Sequence, residues 1–172
     1  MVRHGGRPTS DKLRETLFNI LGRTVEGSSF VDVYAGTGAV GIEALSRGAR
    51  EVIFIEKDPA AVKLIRANLH SLGIESGANI LATDAVRGLE ILTARHRRAD
   101  FFFLDPPYAE SEEYERALGF LDRSRLLVPT GRVIVEHGSR RVLPARWTTL
   151  EHTRTVEHGD AALTFYRLAL AA

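Results

Sequence analysis

The stretch FVDVYAGTGAVGIEALSRG, residues 30–48, decides the fold class. Its first six residues, 30–35, are mostly apolar and predict a buried strand, and the glycines after them predict a tight turn. The residues from Val40 onward predict a helix that ends at Gly48. A strand, a glycine-rich turn and a helix in this order are typical of an α/β protein with a parallel sheet.

Predicted strands continue to alternate with predicted helices along the chain, which indicates a parallel sheet covered on both faces. The further strands are predicted at residues 51–57, 79–84, 99–105 and 131–137. The helices between them are predicted at residues 58–73, 85–97 and 111–122. The tail differs in kind, because residues 147–170 are rich in Thr, Val, Phe and Tyr and contain a turn at 158–161. We expect this tail to form a hairpin that finishes the sheet with an antiparallel pair.

The N-terminal region predicts one more helix. TSDKLRETLFNILG, residues 9–22, has apolar residues at helical spacing, a cap at Thr9 or Ser10 and a stop at Gly22. We expect residues 1–24 to form a basic helical arm packed on the core, and residues 25–172 to form the main domain, within one globular domain overall.

The composition is that of an ordinary single-domain protein. Of 172 residues, 44% are hydrophobic and 26% are charged, and no apolar run has the length of a membrane span. The absence of cysteine excludes disulfides and thiolate metal sites, and the six histidines stand singly, so no metal site is expected. The N-terminus lacks the apolar core of a signal peptide, and we expect a cytoplasmic protein with no membrane partner.

The net charge of +1 hides three basic clusters. Residues 1–23 hold five Lys and Arg against two acids, and further clusters lie at 94–99 and 138–146. Phosphate contacts dominate affinity for nucleic acids, so the clusters could form a track for RNA if the fold brings them together. A solvated surface is the alternative interpretation.

Acidic residues end four predicted strands: Asp32, Glu56, Asp84 and Asp105. Ligands of open parallel sheets bind beyond the carboxyl ends of the strands, although any one of these acids could instead cap a helix. The GTGAVG turn fits G-x-G-x-x-G, and Glu56 lies 20 residues beyond its first glycine, where an acid would hold ribose hydroxyls. This pattern fits NAD as well as S-adenosylmethionine. For S-adenosylmethionine, Asp32 would accept a hydrogen bond from the ammonium group, and Asp84 would accept one from the adenine amino group.

The segment FFFLDPPYAE, residues 101–110, joins a strand built for burial to a rigid acidic turn. The carboxylate of Asp105 and the carbonyl of Pro106 could both accept hydrogens from an exocyclic amine and aim its lone pair at a methyl donor. The two prolines fix φ and offer no N–H to compete for those acceptors, and Tyr108 could stack on a base. The arrangement predicts an amino-methyltransferase.

Several motifs together resemble the bacterial 16S ribosomal RNA guanine-N2 methyltransferase family. They are RPTSDKLRETLFNIL, DVYAGTGAVGIEALSRGA, VIFIEKD, FFFLDPPY and GDAALTFYRL, and they span the chain from Arg7 to Leu168. The resemblance implies a Rossmann-like class I methyltransferase fold with a mostly parallel seven-stranded sheet and a reversed last strand. It also implies S-adenosylmethionine as cofactor, a monomer, and as substrate a guanine of 16S rRNA in the small ribosomal subunit.

Site residues follow from the same resemblance. The catalytic loop would be Asp105, Pro106, Pro107 and Tyr108. The cofactor contacts would be Asp32, Tyr34, Ala35, Gly36, Thr37, Gly38, Glu56, Lys57, Asp84 and Ala85. The RNA contacts would be Arg7, Thr9, Lys12 and Arg14. Family members usually have a further basic, glycine-rich β segment before the RPT sequence, whereas MVRHGG precedes it here, so RNA affinity is the property expected to differ.

Three other functions remain open at this point. The same chemistry could act on DNA adenine or on a protein glutamine, but the N-terminal motif does not support that. An NAD-dependent oxidoreductase would share the glycine turn and would leave the DPPY sequence without a task. A non-catalytic RNA-binding module would have no need to keep Asp32, Glu56 and Asp105 together.

Overall fold

A computed structural model describes residues 10–170 of the chain. Its centre is a seven-stranded sheet in the order β3-β2-β1-β4-β5-β7-β6. The neighbours from β3 to β5 pair in parallel, whereas β7 is antiparallel to both β5 and β6. The strands are β1 (Ser29–Val33), β2 (Glu51–Ile55), β3 (Ala78–Leu81), β4 (Ala99–Leu104), β5 (Leu127–Gly138), β6 (Leu150–His158) and β7 (Ala161–Leu168).

Five α-helices are described, and four of them connect the parallel strands. They are α1 (Asp11–Leu21), α2 (Ala39–Ser46), α3 (Pro59–Ser71), α4 (Ala85–Ala94) and α5 (Ser111–Arg123). No helix among the described residues has the length and apolar character that a membrane span requires.

The alternation of side chains along the central strands creates two apolar layers. On β4, Phe102 and Leu104 pack with α4 and α5 on one face, and Phe101 and Phe103 pack with α1 and α2 on the other. All four side chains are at most 4% exposed. Burying this much aromatic and aliphatic surface stabilises the strand from both faces and fixes the position of the residues that follow it.

The predicted fold class is confirmed, including the reversed last strand and the hairpin in the tail. The first two strands end two residues before their predicted ends, and two other predicted strands were wrong by three or more residues at one end. The third strand ends at Leu81, because Asp84 belongs to the start of α4. The fifth begins at Leu127, ahead of the predicted Gly131, and its pairing with β4 is irregular between Ala99 and Phe101.

The helix α1 begins after Ser10, whose hydroxyl accepts a hydrogen bond from the Leu13 N–H. Thr9, the other predicted cap, lies outside the described residues. The apolar side of α1 is buried in the same layer as β1, where the Phe18 and Phe30 rings stack with centroids 6.2 Å apart. These contacts are the ones the helical spacing of apolar residues predicts.

Candidate active site

The carboxyl ends of the central strands bring the glycine turn and the DPPY turn to one edge of the sheet. Val33 of β1 pairs with Leu104 of β4, and Leu104 in turn pairs with Val135 of β5. The residues that come next, Tyr34 and Asp105, therefore leave neighbouring strands at the same level. The glycine turn and the DPPY turn are adjacent, as a reaction between a cofactor and a substrate requires.

The first and third glycines of the turn serve different purposes. Gly36 has φ of 57°, and a Cβ added there would meet no atom within 4 Å, so this position combines a left-handed backbone with open space for a ligand. Gly41 lies inside α2, where a Cβ would come within 2.4 Å of the Phe54 ring. Gly41 thus lets α2 pack closely on β2, and α2 presents its first-turn N–H groups towards the edge.

Asp32 is hydrogen-bonded to the helix that follows the glycine turn. Its carboxyl is 2% exposed and accepts a hydrogen bond of 2.9 Å from the Gly41 N–H. Burial raises the pKa of Asp32 to about 8. The hydrogen bond from Gly41 lowers this pKa, and the charge of Glu56 raises it. The hydrogen bond from Gly41 ties this buried carboxyl to α2, and the contact of Asp32 with an ammonium group stays a prediction.

Glu56 connects the glycine turn to the beginning of α3. One carboxylate oxygen accepts a hydrogen bond of 2.8 Å from the Gly36 N–H, and the other accepts one of 2.8 Å from the Asp58 N–H. The side chain is half-buried, and each carboxylate oxygen has a further lone pair. The geometry leaves room for the predicted ribose hydrogen bonds, which no contact in the structure tests.

The remaining predicted cofactor residues differ in exposure. Asp84 is exposed and caps α4 by accepting a hydrogen bond of 2.9 Å from the Arg87 N–H, and Ala85 is buried behind it. Thr37 and Lys57 are exposed, and Ala35 is buried. Capping accounts for Asp84 without a ligand, and its adenine contact remains a prediction.

The DPPY turn is held between a buried strand and α5. Asp105, Pro107 and Tyr108 are half-buried, and Pro106 is buried. The Pro107 carbonyl accepts a hydrogen bond of 2.9 Å from the Glu110 N–H, which closes the turn before α5. A turn fixed at both ends can hold two acceptor oxygens in constant relation to each other.

Tyr114 of α5 is a residue of this site that the sequence patterns did not single out. It is 1% exposed, and its hydroxyl donates to the Pro106 carbonyl at 3.5 Å, a long contact. Burial raises the pKa of Tyr114, and the negative charge of Asp105 raises it further. The hydroxyl therefore stays protonated and can donate only one hydrogen, which leaves a lone pair of the Pro106 oxygen for another donor.

A hydrogen bond also links the residue before the glycine turn to α5. The Tyr34 hydroxyl donates a hydrogen bond of 2.8 Å to the Glu113 carboxylate on α5, and Glu113 also pairs with Arg116 at 3.1 Å. Burial raises the pKa of Tyr34, as does the hydrogen bond to Glu113. Tyr34, predicted as a cofactor contact, thus connects the glycine turn to the helix that follows the DPPY turn.

The predicted RNA contacts are only partly described. Arg7 and Thr9 lie outside the described residues. Lys12 is exposed on α1, and Arg14 pairs with Asp11 at 3.1 Å. A further arginine, Arg141 from the third basic cluster, lies with its guanidinium carbon 4.3 Å from the centre of the Tyr114 ring.

Comparison with known proteins identifies the family. The model of the family described as Conserved hypothetical protein 95 matches residues 2–167. Ribosomal RNA small subunit methyltransferase D of Haemophilus influenzae is 34% identical over 154 residues, which cover 88% of this chain and 79% of that protein. The chain belongs to this methyltransferase D family.

Two further relatives agree over most of the chain. YlbH of Bacillus subtilis is 34% identical over 94% of this chain and 87% of its own. The solved structure of the hypothetical protein TTHA0928 of Thermus thermophilus has 30% identity and a TM-score of 0.81, and covers 98% of this chain and 92% of its own. The family predicted from the motifs is confirmed.

Proposed function

We propose that this chain transfers a methyl group from S-adenosylmethionine to the exocyclic N2 amine of a guanine in the 16S rRNA of the small ribosomal subunit. The observation that carries the proposal is the adjacency of the glycine turn and the DPPY turn at one edge of the sheet, in a member of the methyltransferase D family. The name of the Haemophilus relative supports the small-subunit rRNA substrate, and the resemblance of the motifs supports the guanine N2 position.

The glycine turn and the strand ends beside it are the proposed cofactor site. S-adenosylmethionine, when bound, supplies a methyl group on a positively charged sulfur. The first turn of α2 would receive the carboxylate of its amino-acid part, because helix N-termini attract anions. Glu56 would accept hydrogen bonds from the ribose hydroxyls, since its carboxylate oxygens keep free lone pairs beside Gly36. The remaining cofactor contacts are those named from the resemblance, including Asp32, whose carboxyl also accepts a hydrogen bond from the Gly41 N–H.

The DPPY turn is the proposed catalytic loop. The guanine N2 amine is a poor nucleophile because its lone pair is delocalised into the ring. Asp105 and the Pro106 carbonyl would each accept one of its hydrogens, which localises the lone pair and orients it for in-line attack. As the new N–C bond forms, the C–S bond of the donor would break and leave S-adenosylhomocysteine, and the amine would lose one proton, for which the Asp105 carboxylate is the proposed acceptor. Pro107 would keep the turn rigid, and Tyr108 would stack on the base.

The substrate contacts extend from this loop to the basic N-terminal region. Arg7, Thr9, Lys12 and Arg14 are proposed to contact rRNA, and residues 1–24 are proposed to act as an arm of the main domain. We further propose that the enzyme acts as a monomer in the cytoplasm. It would need no metal ion, because the two acceptor oxygens suffice to activate the amine.

The test is methylation of small ribosomal subunits that lack the modification. The subunits are incubated with the protein and methyl-labelled S-adenosylmethionine, and the rRNA is digested to nucleosides and mapped by mass spectrometry. The proposal predicts label in a single N2-methylguanosine of 16S rRNA. Label in methyladenosine, in a protein glutamine or in no rRNA nucleoside would overturn it.

A further inference from the structure

The loop after β5 presents cations beside the catalytic turn. Residues 139–147, SRRVLPARW, contain three arginines and no acid. The loop begins where β5 ends, and β5 is the neighbour of β4, so the loop starts at the same edge of the sheet as the DPPY turn. Val142 is 93% exposed, so the described residues leave the middle of the loop open to a large partner.

Arg141 is held differently from the other arginines of this loop. Arg141 is half-buried, and its guanidinium carbon lies 4.3 Å from the centre of the Tyr114 ring. By contrast, Arg140 is exposed and Arg146 pairs with Glu151 at 3.2 Å. Within residues 10–170, no carboxylate lies at ion-pair distance from Arg141. An arginine stacked on an aromatic ring keeps its edge N–H groups for planar recognition of phosphate, and stacking reduces the entropy lost when it binds.

The ring under Arg141 also touches the catalytic turn. The Tyr114 hydroxyl contacts the Pro106 carbonyl, and the Asp105 charge acts on the same hydroxyl. Tyr114 is fully buried, so it ties the position of the Arg141 guanidinium to that of the Pro106 oxygen. A phosphate bound by Arg141 would therefore stand at a defined distance from the base that the turn holds.

We propose that Arg141, supported by Tyr114, binds a backbone phosphate of the rRNA next to the guanine that is methylated. The proposal rests on the proposed function and adds the group that positions the target nucleotide. The guanidinium and the phosphate form a charge-assisted pair, which fixes the register of the RNA while the DPPY turn recognises the amine. Arg141 is thus a substrate-positioning residue.

The experiment compares Arg141→Ala with a control, Arg140→Ala. The control removes one positive charge from the same loop and leaves the contact between Arg141 and the Tyr114 ring in place. Initial rates on small subunits and direct binding to them are measured over a series of salt concentrations. Arg141→Ala should raise KM about tenfold at low salt and reduce the slope of log KM against log salt by about 0.7 to 0.9, the contribution of one phosphate. Its kcat and its affinity for S-adenosylhomocysteine should stay within about twofold of the wild type.

Two further variants separate phosphate binding from a structural role. Arg141→Lys keeps the charge and should recover part of the salt slope. Tyr114→Phe keeps the ring but loses the contact with Pro106, so it should leave the salt slope unchanged and lower kcat. An Arg141→Ala slope equal to that of the wild type or to that of Arg140→Ala would overturn the proposal, provided that the wild type methylates the subunits. Failure of the wild type itself would overturn the proposed function instead.

Discussion

Gly41→Ala tests whether the third glycine of the turn is required for packing. The new Cβ would lie 2.4 Å from one carbon of the Phe54 ring and 2.8 Å from a methyl of Val52. The shorter distance is about 1 Å inside ordinary contact, and both partners are fully buried on β2, so α2 has to move outward. Overpacking of this kind costs about 1–3 kcal/mol, and we expect about 2–3 kcal/mol because the Asp32 hydrogen bond to Gly41 is strained as well.

Urea unfolding at equilibrium measures the loss of stability caused by Gly41→Ala. Repeating the measurement in a Phe54→Leu background shows whether the contact with the Phe54 ring causes that loss. Leucine removes the ring carbons nearest to the new Cβ, so Gly41→Ala should cost at least about 1 kcal/mol less in that background than in the wild type. Gly36→Ala is the matched control. It meets no atom and should cost only the about 1–2 kcal/mol of a left-handed backbone, with no change in the Phe54→Leu background. A Gly41→Ala variant within about 0.5 kcal/mol of the wild type would refute the packing explanation.

Two further predictions concern contacts outside the catalytic loop. Asp122 is buried and accepts hydrogen bonds from the N–H groups at the start of β6; burial alone would raise its pKa, but these bonds hold the pKa below its ordinary value. The stability that this carboxylate provides is therefore present above the unfolded-state pKa and is lost as the pH falls through the lower folded-state pKa. Urea unfolding from about pH 5 downward should show a steeper loss of stability in the wild type than in Asp122→Asn, and equal slopes would contradict this. Tyr34→Phe removes the hydrogen bond to Glu113 and should lower the free energy of unfolding by about 1.5–3 kcal/mol, while Glu113→Gln, which keeps an acceptor, should lower it less. If both variants unfold at the urea concentration of the wild type, the hydrogen bond between Tyr34 and α5 does not stabilise the protein.

The order of strands and helices was predictable because local signals agree along most of the chain. The glycine turn and Pro59 after Asp58 mark helix starts by conformational rules that packing does not change. The third strand was predicted to extend too far because an aspartate such as Asp84 can either end a strand or cap a helix, and the local sequence does not distinguish the two. The early start of β5 at Leu127 depends on pairing with β4, which is a long-range contact without a local signal.

The positions of the candidate site residues were predictable where they depend on sequence neighbours and not where they depend on packing. The DPPY turn was identified because strand, acid and prolines are contiguous. Tyr114 was not singled out, and Arg141 was predicted only as part of a basic cluster. One lies on the helix after the turn and the other on a distant loop, and only the tertiary fold brings them together. The orientation of Asp32 was readable in principle. It alternates with Val31 and Val33 along β1 and so belongs to the face that carries α2.

The central claim is that Asp105 acts on the guanine amine and not on the cofactor. Its most direct test is single-turnover methylation of small subunits by Asp105→Ala, paired with calorimetry of S-adenosylhomocysteine binding. The account predicts that methylation falls by at least about 100-fold, while the affinity for S-adenosylhomocysteine stays within a few-fold of the wild type. Full methylation by Asp105→Ala at saturating cofactor, or a loss of cofactor affinity that accounts for the whole defect, would contradict it.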